Sequence, residues 1–89
     1  MNLHRYWLRF SFQDGDRRPI GTAFGCGVTA YSVDDALGLV QDRVFDGFPV
    51  PRVVELVEDV DIATLDSAHV RPNMGNVAVR GIWFPLGYE

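Results

Sequence analysis

Cys26 stands between Gly25 and Gly27 in the stretch GTAFGCGVTAYS, residues 21–32. A thiol among glycines could be a nucleophile on a tight turn, and the glycines could cradle a phosphate. Neither chemistry has its supporting residues. A phosphate loop needs GxxxxGK[ST], and the chain has no lysine. Gly25, Gly27 and Ala30 match a dinucleotide fingerprint in part, but that motif should open a helix at once, whereas VTAY intervenes here. A reactive thiol wants an imidazole or a helix N-terminus beside it. The stretch alternates instead: Thr22, Phe24, Cys26, Val28 and Ala30 fall on one face, and Ala23, Gly25, Gly27, Thr29 and Tyr31 on the other. It reads as a strand whose thiol is a small core residue. Its paired glycines leave room for a large neighbour, with Trp7 the natural candidate.

The second group with chemical potential lies in the 63–76 stretch, ATLDSAHVRPNMGN, and the acids before it. Asp59, Asp61, Asp66 and His69 could be imagined around a metal, but their spacing matches no oxygen ladder of the EF-hand type. His4 is the only other histidine, so neither a metal nor a cofactor is expected. Asp66 and His69 could serve as an acid–base pair. At a separation of three they more simply form a local hydrogen bond. A loop of about 14 residues without regular structure is often functional. Glu58, Asp59, Asp61, Asp66, His69, Arg71 and Asn73 are therefore the expected partner-binding residues, with no catalytic residue among them. The alternative is a small enzyme or ligand-binding subunit using His69, Asp66 and Cys26.

Four strands and one helix must position these groups. HRYWLRFSF (4–12) alternates, with His4, Tyr6, Leu8, Phe10 and Phe12 on one face. QDGDRRPIG then reads as a turn or short loop. Ser32 is placed to cap a helix, Asp35 to complete a short-armed capping box, and Asp66 to cap a single turn. Val33, Ala36, Leu37, Val40 and Val44 form an apolar stripe. Gly47 suits the left-handed residue after the helix, and Pro49 and Pro51 forbid continuation. RVVELVEDVDI (52–62) reads as a third strand with Val54, Leu56, Val60 and Ile62 in phase, and VAVRGIWF (77–84) as a fourth. Trp83, Phe84, Pro85 and Tyr88 either close the core or form an exposed docking patch. The expected fold is one α+β domain over 1–89: ββαββ, a four-stranded, mainly antiparallel sheet with one helix packed on one face. The second strand should cross over to a third running parallel to it. The other face, with Trp7 and Tyr31, is expected to lie bare, so a partner or a second copy in a homodimer could cover it.

The bulk numbers narrow the class. Of 89 residues 47% are hydrophobic, too many for disorder, and no apolar run reaches the ~20 residues of a membrane span. The polar–apolar alternation of MNLHRYWLRFSF does not read as an export signal, and with a single cysteine the expected compartment is the cytoplasm. The net charge of −4 is uneven: residues 1–32 carry +2, residues 33–66 carry −7 and residues 67–89 carry +1. Such a middle repels nucleic acid and attracts a cationic protein.

GCGVTAYSVDDAL and RGIWFP resemble segments of short uncharacterised bacterial proteins, over most of the chain, and imply no activity. In size, acidity and expected compartment the chain is also similar to immunity proteins of bacterial toxin systems. That likeness implies a protein-interaction module that inhibits a basic toxin by charge and shape.

Overall fold

The computed structural model describes residues 2–87; Tyr88, named above with the terminal aromatics, lies outside them. Four strands form one sheet: β1 (His4–Ser11), β2 (Cys26–Ala30), β3 (Arg52–Glu58) and β4 (Gly81–Phe84), in the order β3-β1-β2-β4. Every neighbouring pair is antiparallel. β2 and β3 both oppose β1 and so run in the same direction on either side of it. The chain between them forms α1 (Val33–Leu39), which continues as a π-helical turn over Val40–Val44.

Period two in β1 decides the layering. Tyr6 and Leu8 point to one face and meet Cys26, Val28, Ala30 and Ile82 from the sheet, with Ala36, Leu39, Val40, Val44 and Phe45 from the helical segment. Cys26 is fully buried here, and burial pushes its thiol up to about 12. The helix begins as its cap predicts, with the Asp35 N–H donating to Ser32 Oγ at 3.1 Å. The Asp35 carboxylate accepts from the Tyr31 N–H, one residue earlier than a standard capping box, at 3.0 Å. Asp46 and Gly47 both take positive φ after the π turn, and the Gly47 N–H closes on Gln41 O.

Trp7 points to the opposite face, and that face is not bare. Val60, Leu65 and Val70 pack there against Trp7, Trp83 and Phe84 in a second core, with Ile62, Met74 and Val77 at its margin. The 60–77 segment is thus a covering layer with two 3-10 turns, Ile62–Thr64 and Arg71–Asn73. Thr29 Oγ1 donates to Val77 O at 2.7 Å, and the Gly75 N–H to Trp83 O at 2.7 Å, which fastens the layer across β2 and β4. The glycines admit two rings rather than one. A Cβ on Gly25 would strike Trp7, and one on Gly27 would strike Trp83. The two indoles stack with centroids 5.9 Å apart.

Three strands are shorter than their alternation implies. Residues 21–24 turn before β2 begins, closed by Phe24 N–H to Gly21 O and Gly25 N–H to Thr22 O. β3 ends at Glu58 because Asp59 takes a left-handed φ of 54°. Its register shifts between Glu55 and Val53, which puts Val54 at a bulge and leaves it exposed, while Val53 and Leu56 pack on the helix-side core. Residues 77–80 are turn, so β4 holds only the last four residues of its predicted run.

Candidate functional site

The seven residues expected to meet a partner do not form one surface. Glu58 and Asp59 sit at the end of β3, where the register places Tyr6 opposite Glu58. The Tyr6 hydroxyl donates to Glu58 Oε1 at 3.2 Å, and His4 Nδ1 lies 2.9 Å from Asp59 Oδ1. Burial, then the bond to Glu58 and the nearby negative charge, raise the Tyr6 phenol above its ordinary value.

Asp61 and Asp66 are engaged in turns. Asp61 Oδ1 accepts from the Ala63 N–H at 3.0 Å and caps the first 3-10 turn. Asp66 Oδ1 accepts from the Ala68 and His69 N–H groups, both at 2.8 Å. Those two bonds hold its carboxyl below the usual range. The His69 ring nitrogen is 3.4 Å from the same oxygen, so the predicted local pairing forms mainly through the backbone. Arg71 is exposed on the second 3-10 turn and makes no ion pair among the described residues.

His69 and Asn73 belong to a different site. The His69 ring lies flat on Phe24, with centroids 4.8 Å apart and planes at 13°, and Asn73 Nδ2 donates to His69 O at 2.8 Å. They line a cleft of about 650 Å³ with Ile20, Gly21, Phe24, Phe84, Pro85, Leu86 and Gly87. Its rim is unusually greasy for a free surface: Ile20 is 88% exposed, Phe24 43% and Leu86 44%. Beyond Phe24 a second hollow of about 290 Å³ runs past Arg9, Thr64 and Asp66. The cleft adjoins the Leu8–Cys26 end of the sheet, whereas His4, Glu58 and Asp59 gather at the Ala30 end.

Of the terminal aromatics, Trp83 and Phe84 are core residues and Pro85 is buried, so the core reading holds for these three. The exposed apolar rim of the cleft is made instead by their neighbour Leu86 and by Ile20 and Phe24, which sequence reasoning missed. Alternation alone puts Phe24 on the core face, because its phase matches Cys26. Gly21 and Gly25, four residues apart and both at positive φ, were the available sign that the segment turns there. Cys26 does not line the cleft. Comparison with family models, curated proteins and solved structures gives no match to this chain.

Proposed function

We propose that this chain is a protein-interaction module that seats an apolar anchor of its partner in the cleft beside Phe24. The exposed Ile20, Phe24 and Leu86 around a preformed hollow carry this reading. Free surfaces seldom concentrate large apolar groups, and docking sites do. The net charge of −4, and acids such as Asp61 and Asp66 on the layer that forms one wall, favour a partner with basic residues around its anchor. An inhibitor of a basic toxin, of the immunity type, is the specific form of this proposal.

A photo-crosslinking side chain at position 20 of the full chain, used in its own cells, tests it. One defined partner is expected, lost in Phe24→Asp and Leu86→Asp and not captured from position 79. Equal capture from both positions would overturn the reading. With the purified partner, reversing Asp61 to Arg should slow association at low salt.

A second reading rests on the stacked His69 and the adjacent Asn73. The cleft volume lies within the range of small-molecule sites, and these two supply its polar side chains. His69→Ala would then abolish a ligand-induced thermal shift.

A further inference from the structure

We propose that His4, Glu58 and Asp59 bind a divalent transition-metal ion such as zinc. These residues are separate from the cleft of the proposed function, so either reading can fail without the other. Among the described residues these three form the one group of imidazole and carboxylates whose donor atoms converge, all lying within 4.8 Å of one another. Sequence spacing conceals it, because 55 residues separate His4 from Asp59.

The fold brings the donors together in two steps. Pairing of β1 with β3 sets Tyr6 against Glu58, which delivers Glu58 to the strand end where His4 lies. Successive strand residues point to opposite faces, so Asp59 would point away if the strand continued. Its left-handed φ of 54° ends the strand, and its carboxylate comes to 2.9 Å from His4 Nδ1.

The chemistry suits a borderline cation. One imidazole and two carboxylates supply two negative charges, matching a divalent ion, and the imidazole favours zinc, nickel or cobalt over magnesium or calcium. Donor pairs around tetrahedral zinc lie about 3.4 Å apart, given metal–ligand bonds of about 2.1 Å. The His4–Asp59 pair is already nearer than that, and no separation need close by more than about 1.4 Å. Exposed Glu58 has the rotatable bonds to do so. Tyr6, buried in the core, holds one Glu58 oxygen and acts as a positioning residue of the kind that orients a ligating carboxylate. Three protein ligands leave at least one coordination position for water.

The alternative sets do not converge in this way. Asp61 and Asp66 each have one carboxylate oxygen on backbone N–H groups, His69 stacks on Phe24, and their donors join no convergent group among the described residues.

Titration of the full chain with zinc chloride, followed by histidine ring and backbone NMR, tests the proposal. Saturable 1:1 binding is expected, shifting the ring nitrogens of His4 and the amides of 58–60 while leaving His69 unmoved. Cobalt in place of zinc should give visible d–d absorption. His4→Asn and Glu58→Gln should each weaken binding at least tenfold, and Tyr6→Phe about tenfold through loss of the orienting bond. Both ligand positions are partly open to solvent, so the variants should keep their fold. No saturable binding, equal affinity in His4→Asn, or perturbation centred on His69 would overturn it.

Discussion

Gly27 shows how a single missing side chain fixes a layer. It faces Trp83 so closely that a methyl group there would overlap three atoms of the indole ring. Trp83 cannot retreat, since it is fully buried among Trp7, Val70 and Phe84. Gly27→Ala should therefore destabilise the protein by about 2–3 kcal/mol, the upper part of the range for overpacking a tight core. Gly38→Ala is the control: its added methyl meets nothing within 4 Å, and in a helix it should stabilise by about 1 kcal/mol. Urea unfolding of the two variants checks both signs, and equal effects would refute the packing account. Cys26 belongs to the same scale. A buried thiol with its pKa pushed up to about 12 is a packing group, so the chemistry that the glycine-flanked cysteine advertises is absent.

At the scale of elements, the first turn of α1 is held from two directions. Asp35 caps backward to Tyr31 and also receives Arg80, whose Nε donates to Oδ2 at 2.9 Å and whose Nη2 donates to Oδ1. The arginine, and then the Tyr31 N–H, lower the Asp35 carboxyl to about 2. A depressed carboxyl stabilises the fold above its unfolded value near 4, and that stabilisation disappears as the pH falls from there through about 2. Arg80→Gln should lower the melting temperature at pH 6 while losing less stability than the parent between pH 4 and pH 2. Thermal melts across that window check it, and parallel pH profiles would sink it. Ser32 as the cap was plain in the sequence, because capping is local. Arg80 as the partner was not, because 45 residues intervene. Strand ends were hidden for a related reason: alternation persists through 21–24 and 77–80 although the backbone turns there, and only Gly21, Gly25 and Gly81 with their positive φ mark the change. The exposed edge of β3 carries its own safeguard, since the bulge at Val54 and the charge of Glu55 both work against strand addition.

On the scale of the whole molecule, the charge blocks of the sequence are partly folded back on themselves. Arg17 from the first block reaches Asp46 and Arg80 from the last reaches Asp35, so two acids of the −7 segment meet arginines from its flanks. The cluster at His4 and the cleft at Phe24 were likewise invisible in one dimension: strand pairing gathers the first, and the second joins the 20–24 turn, the covering layer and the residues after β4. The four strands, the helix and their antiparallel arrangement were legible, since periodicity reports a face directly. What covers a face is not so encoded. Leu65 and Val70 look like scattered loop residues, and Val60 like part of a strand, until Trp7 and Trp83 give them a surface.

The resulting three layers, helix, sheet and covering segment, share a single middle. β1 sends Tyr6 and Leu8 to one core and Trp7 to the other, and β2 packs Val28 into the first while Gly27 receives Trp83 from the second. Neither core can be lost without disturbing the strands that build its counterpart. Both tryptophans lie in the second core, so their fluorescence reports on the covering layer, whereas far-UV circular dichroism reports on helix and sheet. The two signals should therefore follow one transition in urea, and Val70→Ala should move both midpoints together, by about 1–3 kcal/mol in stability. A fluorescence change that precedes the loss of secondary structure would mean that the covering layer detaches as a unit. The cleft wall that carries His69 and Asn73 would then be mobile rather than preformed, and the docking proposal would lose its rigid seat.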